Sequence, residues 1–305
     1  MRQLGSGDFA GRVTFITGPG RSSGKTSLLN ASLAMLRQEG ERPGFLAVGF
    51  EGSAKALGEG AAAQDGAQVR LHAEGPRIHV EPGEIFVGAG AWLRGSGLMP
   101  EVLAALSGSG ALGRLALVRA RRAGEAVLVG PDSNEAIAQA ITIMRNEWEV
   151  STVLVDGALD RVTQVASFDG ARFLAAVMVD RAGLAATLSW MRRTLALSAL
   201  PTLGAAEGGA GLLALDGPLT RAAAEGLPPW ATTLLVDDLT KVFLGGQGLS
   251  MFLRTRTLAV RRKIEFGGFV VSLRGIGAGE LREAIGTSIP GELLFASPCE
   301  VQDAA

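Results

Sequence analysis

The sequence predicts an α/β protein, a mostly parallel sheet covered by helices on both faces. Three observations predict it. Short runs at 13–17, 44–50, 152–157 and 173–179 are apolar or β-branched at consecutive positions, as in strands buried on both sides. Segments with helical spacing of apolar residues alternate with these runs, the order of parallel strands joined by crossover helices. These runs, with a further one at 233–236, close on Gly18, Glu51, Asp156, Asp180 and Asp237, at the strand ends where such sheets take ligands.

The elements follow in order. The run 13–17 enters a glycine-rich turn, and Leu28, Leu29, Ala31, Leu33 and Leu36 then repeat with helical spacing. The run 44–50 is a second buried strand that ends at Glu51-Gly52. The stretch 53–68 is rich in Ala and Gly without a period, and reads as a loop or weak helix. Residues 77–80 and 84–87 suit an antiparallel pair across Pro82-Gly83. Residues 99–106 read as helix, and 115–118 and 126–129 as strands. Asp132 or Ser133 caps a helix carrying Ile137, Ile141 and Met144, with Glu135 near the cap. Strands follow at 152–157 and 173–179, a helix at 184–197, and strands at 233–236 and 269–273. No linker or internal repeat interrupts the chain, so residues 1–305 read as a single domain.

Composition narrows the function classes. The chain has 305 residues, 47% hydrophobic and 19% charged, enough for a large core. The net charge of −1 gives no basic surplus for nucleic acid or an anionic membrane surface. Arg119-Ala120-Arg121-Arg122 and Arg261-Arg262-Lys263 read as solvated ends of elements. A single cysteine, Cys299, excludes an intrachain disulfide and a cysteine-based metal site, which fits a cytoplasmic protein. No signal-peptide layout and no membrane-length apolar run is expected. A Gly-x-Ser-x-Gly elbow is absent. His72 and His79 lack the spacing of a helical metal pair.

The most specific segment is Gly18-Pro19-Gly20-Arg21-Ser22-Ser23-Gly24-Lys25-Thr26-Ser27, set between a strand and a helix. A turn of this kind wraps backbone N–H groups around an anion, and the helix that follows aims its positive end at the same place. This is the pattern of a P-loop NTPase. Gly24 lets the backbone approach phosphates, Lys25 reaches β- and γ-phosphate oxygens, and Thr26 offers a hydroxyl to magnesium. Arg21, Ser22 and Ser23 offer side chains or amides to the same group. Five residues separate Gly18 from Gly24, where the common pattern has four. Lysine at a helix N-terminus is unfavourable without an anion, which weighs against an ordinary turn.

Asp156, at the end of a buried strand, stands where a Walker-B acid holds magnesium; the competing reading is a helix cap. Glu51 either contacts magnesium, orients a water, or is a solvated loop side chain. Asp160 and Arg161 are secondary candidates. The absence of an Asn-Lys-x-Asp guanine reader points to ATP rather than GTP.

The loop spacing resembles that of the dethiobiotin synthetase and cobyrinic acid synthetase group of P-loop proteins. A closer resemblance lies in Val153-Leu154-Val155-Asp156-Gly157-Ala158-Leu159-Asp160-Arg161. Gly49-Phe50-Glu51-Gly52, Pro76-Arg77-Ile78, Gly130-Pro131 and 237–243 support it. Together they are similar to the P-loop subunit of lysine 5,6-aminomutase reactivase, the KamB family. One departure is Val271-Ser272-Leu273-Arg274-Gly275, where Asn-Pro is expected after the late strand. The resemblance implies ATP and Mg2+ as cofactors. It implies an ATPase that restores an inactivated cobalamin-dependent aminomutase together with a second reactivase subunit. Self-association into a homo-oligomer stays open. The alternative is a dethiobiotin-type carboxylate ligase, for which Lys55 is the one lysine near the second strand.

Overall fold

The computed structural model describes residues 1–20, 22–49, 53–56, 71–74, 77–93, 96–110, 113–157, 170–204 and 209–299. In chain order the elements are β1 (Arg2–Gln3), β2 (Val13–Thr17), α1 (Lys25–Gln38), β3 (Gly44–Ala47), β4 (Ser53–Ala56), β5 (Leu71–Glu74), β6 (Arg77–Val80) and β7 (Ile85–Ala89). Then come α2 (Gly90–Leu93), β8 (Glu101–Gly110), β9 (Gly113–Arg119), β10 (Gly124–Val127), α3 (Asn134–Asn146), β11 (Val153–Asp156), β12 (Arg172–Asp180) and α4 (Leu184–Ser198). The remainder are β13 (Leu212–Ala214), α5 (Arg221–Glu225), β14 (Thr233–Val236), α6 (Gly246–Thr255), β15 (Thr257–Val260), β16 (Glu265–Arg274), α7 (Ala278–Ile285) and β17 (Leu294–Ala296). The class is α/β with mostly parallel pairing, and it falls into two compact units.

The first unit holds residues 1–4, 15–28 and the described residues from 170 onward. Its strands run β1-β17-β16-β12-β2, and the β1–β17, β17–β16 and β16–β12 pairs are parallel. Ala175, Val177 and Val179 of β12, with Phe269 and Val271 of β16, share a cluster with Leu188 and Met191 of α4 and Leu281 and Ile285 of α7. Leu174 and Ala176, on the alternate face of β12, are equally buried. Burial of both alternating sets explains the unbroken apolar run. A second sheet, β13-β14-β15, is parallel throughout, and Thr202 bridges Val260 in the same sense. Arg193 of α4 ties to the loop after β14, donating to the carbonyls of Leu244 (2.6 Å) and Val242 (2.7 Å). Burial pulls its guanidinium below the ordinary arginine range.

The second unit holds residues 5–14 and 29–157. Its strands run β11-β3-β7-β9-β8, parallel from β11 to β7 and antiparallel from β7 to β8. Of the two cap candidates, Asp132 and Ser133, it is Ser133 that caps α3, its side chain accepting from Ala136 N–H at 3.2 Å. The buried residues of α3 include Ile137, Ile141 and Met144. The carboxylate of Glu84, 2% exposed, takes both ends of the Arg37 guanidinium, at 2.7 and 2.8 Å. This fork fixes the last turn of α1 against the β6–β7 connection.

Three local expectations give way. Residues 99–106 are not helical. Met99 has φ of 47°, and the segment from Glu101 extends to pair with β9, where Val102 faces Val118 and Ala105 faces Ala116. The Val-Leu-Ala-Ala-Leu spacing suits a helix, but cross-strand pairing outweighs weak local preference. Residues 77–80 and 84–87 do not pair with each other: β6 joins β10 antiparallel, while β7 joins β3 and β9. Within 53–68, the described residues 53–56 form β4, paired antiparallel with β5; the others lie outside the described residues. Among the described residues, no helix is long and apolar enough to cross a membrane.

Candidate functional site

The turn between β2 and α1 belongs to the first unit. β2 carries it at the carboxyl end of a buried strand, with the Thr17 hydroxyl donating to the Leu174 carbonyl of β12 at 3.2 Å. Gly18 is a close-approach position. A Cβ there would meet Ser23 Oγ at 2.2 Å and the Ala176 carbonyl oxygen at 2.7 Å, so the turn folds back on its own start. Ser22 has φ of 60° and Gly24 φ of 93°. Left-handed residues at alternate positions curl successive peptide N–H groups toward one side, the backbone concavity that holds anions. A left-handed serine is uncommon, and such strain collects at ligand sites.

Ser23, between them, is 5% exposed, and its hydroxyl has no hydrogen-bond partner among the described residues. Lys25, also 5% exposed, opens α1 and folds back so that Nζ donates to the Gly20 carbonyl at 2.9 Å. α1 runs 14 residues and has no acidic side chain in its first turn. Its ladder begins with Leu28 N–H donating to the Gly24 carbonyl at 2.9 Å, which leaves the first-turn amides ahead of the intrahelical ladder. Positive helix end, ammonium and curled amides add in sign, the electrostatics of an anion site. Leu28, Leu29, Leu33 and Leu36, all buried, hold the helix in place. Each such side chain contributes roughly 1.5–3 kcal/mol on burial. Thr26 is half-buried and Ser27 exposed.

The structure thus brings Gly18, Gly20, Ser22, Ser23, Gly24, Lys25, Thr26 and Ser27 together. Arg21, Glu51, Asp160 and Arg161 lie outside the described residues. Asp156 closes β11 in the second unit. It is 7% exposed, and its carbonyl accepts from Val48 N–H at 2.8 Å. Beside it, Gly130 N–H donates to the Gly49 carbonyl and Gly49 N–H to the Pro131 carbonyl, both at 2.9 Å. The 128–131 stretch therefore lines the end of β3.

Other strand-end acids have structural partners. Asp180 accepts from Gly183 N–H at 2.5 Å, closing the turn into α4, and Asp237 sits 3.4 Å from Arg261 Nε. His79 bonds Glu81 at 2.9 Å on the surface; His72 faces Lys55 in the β4–β5 register. No cluster of three or more His, Cys, Asp or Glu suited to a metal occurs among the described residues. Two neighbours of the turn escaped sequence reasoning. Ser272 Oγ lies 3.9 Å from where a Gly24 Cβ would stand, and Cys299 Sγ donates to the Ser27 carbonyl at 3.4 Å. The only sequence signal for the first is a hydroxyl in an otherwise apolar strand.

No family model matches the chain, and no curated protein or solved structure is significantly similar to it.

Proposed function

We propose that the chain binds the polyphosphate of Mg-ATP in the 18–27 turn and works as a P-loop ATPase in the cytoplasm. The observation that carries this is the pair of left-handed residues, Ser22 and Gly24, flanking buried Ser23 at the start of a long helix with Lys25 folded inward. An anion entering the turn takes the peptide N–H groups, and Lys25 exchanges the Gly20 carbonyl for phosphate oxygens. Thr26 offers Mg2+ a hard oxygen donor at the turn, and Asp156 is read, from the sequence pattern alone, as the Walker-B acid. Bound magnesium neutralises charge on the phosphates. Glu51 is assigned the orientation of the attacking water.

The target is read from the sequence resemblance. The ATPase acts with a second reactivase subunit on a cobalamin-dependent aminomutase, and γ-phosphate contacts hold loops that hydrolysis releases. The test is ATP turnover by purified protein, alone and with inactivated aminomutase and its partner subunit. Stimulation by those proteins supports the reading. Turnover that depends instead on a small diamino or dicarboxylic acid replaces it with the ligase. Failure to bind Mg-ATP at all removes both.

A further inference from the structure

β16 carries a hydroxyl where its neighbours are apolar. Phe269, Val270 and Val271 are buried, and Ser272 follows them half-buried. Its side chain makes no hydrogen bond among the described residues. Apart from its chain neighbours, the one atom among the described residues within 4 Å of a Cβ built on Gly24 is Ser272 Oγ, at 3.9 Å.

The approach is held by backbone. β16 pairs with β17 in parallel, Ser297 N–H donates to the Val271 carbonyl at 2.9 Å, and Cys299 Sγ reaches the Ser27 carbonyl. Ser272 of β16 and Cys299, three residues past β17, therefore meet the start of α1 at Gly24 and Ser27. Gly24 has no side chain to screen the hydroxyl from the turn, and its positive φ keeps that position a glycine.

We infer that Ser272 is a further phosphate-binding residue of this site, its hydroxyl donating to a phosphate oxygen of the bound nucleotide from the β16 side. The inference rests on the polyphosphate reading of the turn. Amides and ammonium come from the turn itself; Ser272 adds a neutral donor from a strand distant in sequence, and so ties occupancy of the turn to the position of β16.

The experiment is calorimetric titration of the full chain with Mg-ATP, magnesium tripolyphosphate and adenosine. Parent, Ser272→Ala, Ser272→Thr and Lys25→Ala are compared, with melting curves for each. Ser272→Ala is expected to weaken Mg-ATP and tripolyphosphate alike by about tenfold, with melting unchanged and Ser272→Thr close to parent. Tripolyphosphate affinity within about twofold of parent in Ser272→Ala, alongside loss in Lys25→Ala, overturns the Ser272 assignment and leaves the turn intact. Weakened Mg-ATP with unchanged tripolyphosphate moves the hydroxyl to the nucleoside and also overturns it. Equal weakening in Ser272→Thr makes the effect one of shape and overturns it too. A parent that binds no tripolyphosphate ends the turn reading, and this inference with it.

Discussion

Gly18→Ala tests the packing that shapes the turn. The added methyl carbon would lie 2.2 Å from Ser23 Oγ, 2.7 Å from the Ala176 carbonyl oxygen and 2.9 Å from Ser23 Cβ. Comfortable carbon contacts begin near ~3.5 Å. The Ser23 hydroxyl can rotate away. The Ala176 oxygen cannot, because β12 is flanked by β2 and β16 and held in register, with Ala176 opposite Val270. The turn must therefore move by roughly 0.5 Å or more, at an overpacking cost of about 1–3 kcal/mol. In a chain of this size that lowers the melting temperature by roughly 2–10 °C. A displacement on that scale also spoils convergent amides, so Mg-ATP affinity should fall at least about tenfold. Gly7→Ala, outside the turn, is the control: among the described residues nothing lies within 4 Å of its added carbon, and binding and melting should match the parent. Adding Ser23→Ala to Gly18→Ala removes the 2.2 Å clash but leaves those with the Ala176 oxygen and the residue 23 Cβ, so rescue should be partial at most. Calorimetry and differential scanning fluorimetry read both quantities. A Gly18→Ala protein that melts with the parent and binds Mg-ATP within about twofold would refute the packing argument.

Lys25→Ala should abolish Mg-ATP binding in calorimetry while its circular dichroism stays that of the parent, since the Gly20 carbonyl that Nζ holds lies within the turn itself. Asp156→Asn should lower magnesium-dependent turnover by about tenfold or more and change metal-free ATP binding little, as seen in a magnesium titration of the steady-state rate. Arg37→Ala strands the Glu84 carboxylate, 2% exposed, and should cost about 3–5 kcal/mol in a urea melt. Loss of less than about 1 kcal/mol would show that the fork contributes no more than a surface pair.

Features set by neighbouring residues were legible from the chain alone. The turn at 18–24 was, because glycine content, the lysine and the flanking strand and helix are all local. So were a cap at 132 or 133 and the strands β11 and β12, since burial on both faces writes an unbroken apolar run. The segment 99–106 was misread because its apolar spacing fits a helix, and only pairing with β9 overrides that preference. Of the β13-β14-β15 sheet, only the strand at 233–236 was read from the sequence; β13 and β15 were missed.

What the sequence by itself determined is the chemistry of the turn: which residues offer amides, an ammonium and hydroxyls, and in what order. What only the tertiary structure decided is how that turn is shaped and walled. The Ala176 carbonyl against Gly18, Ser272 beside Gly24 and Cys299 on Ser27 join residues far apart in the chain, the last pair 272 positions apart. Contacts of that kind are set by strand order and register, which no local spacing of residue types encodes.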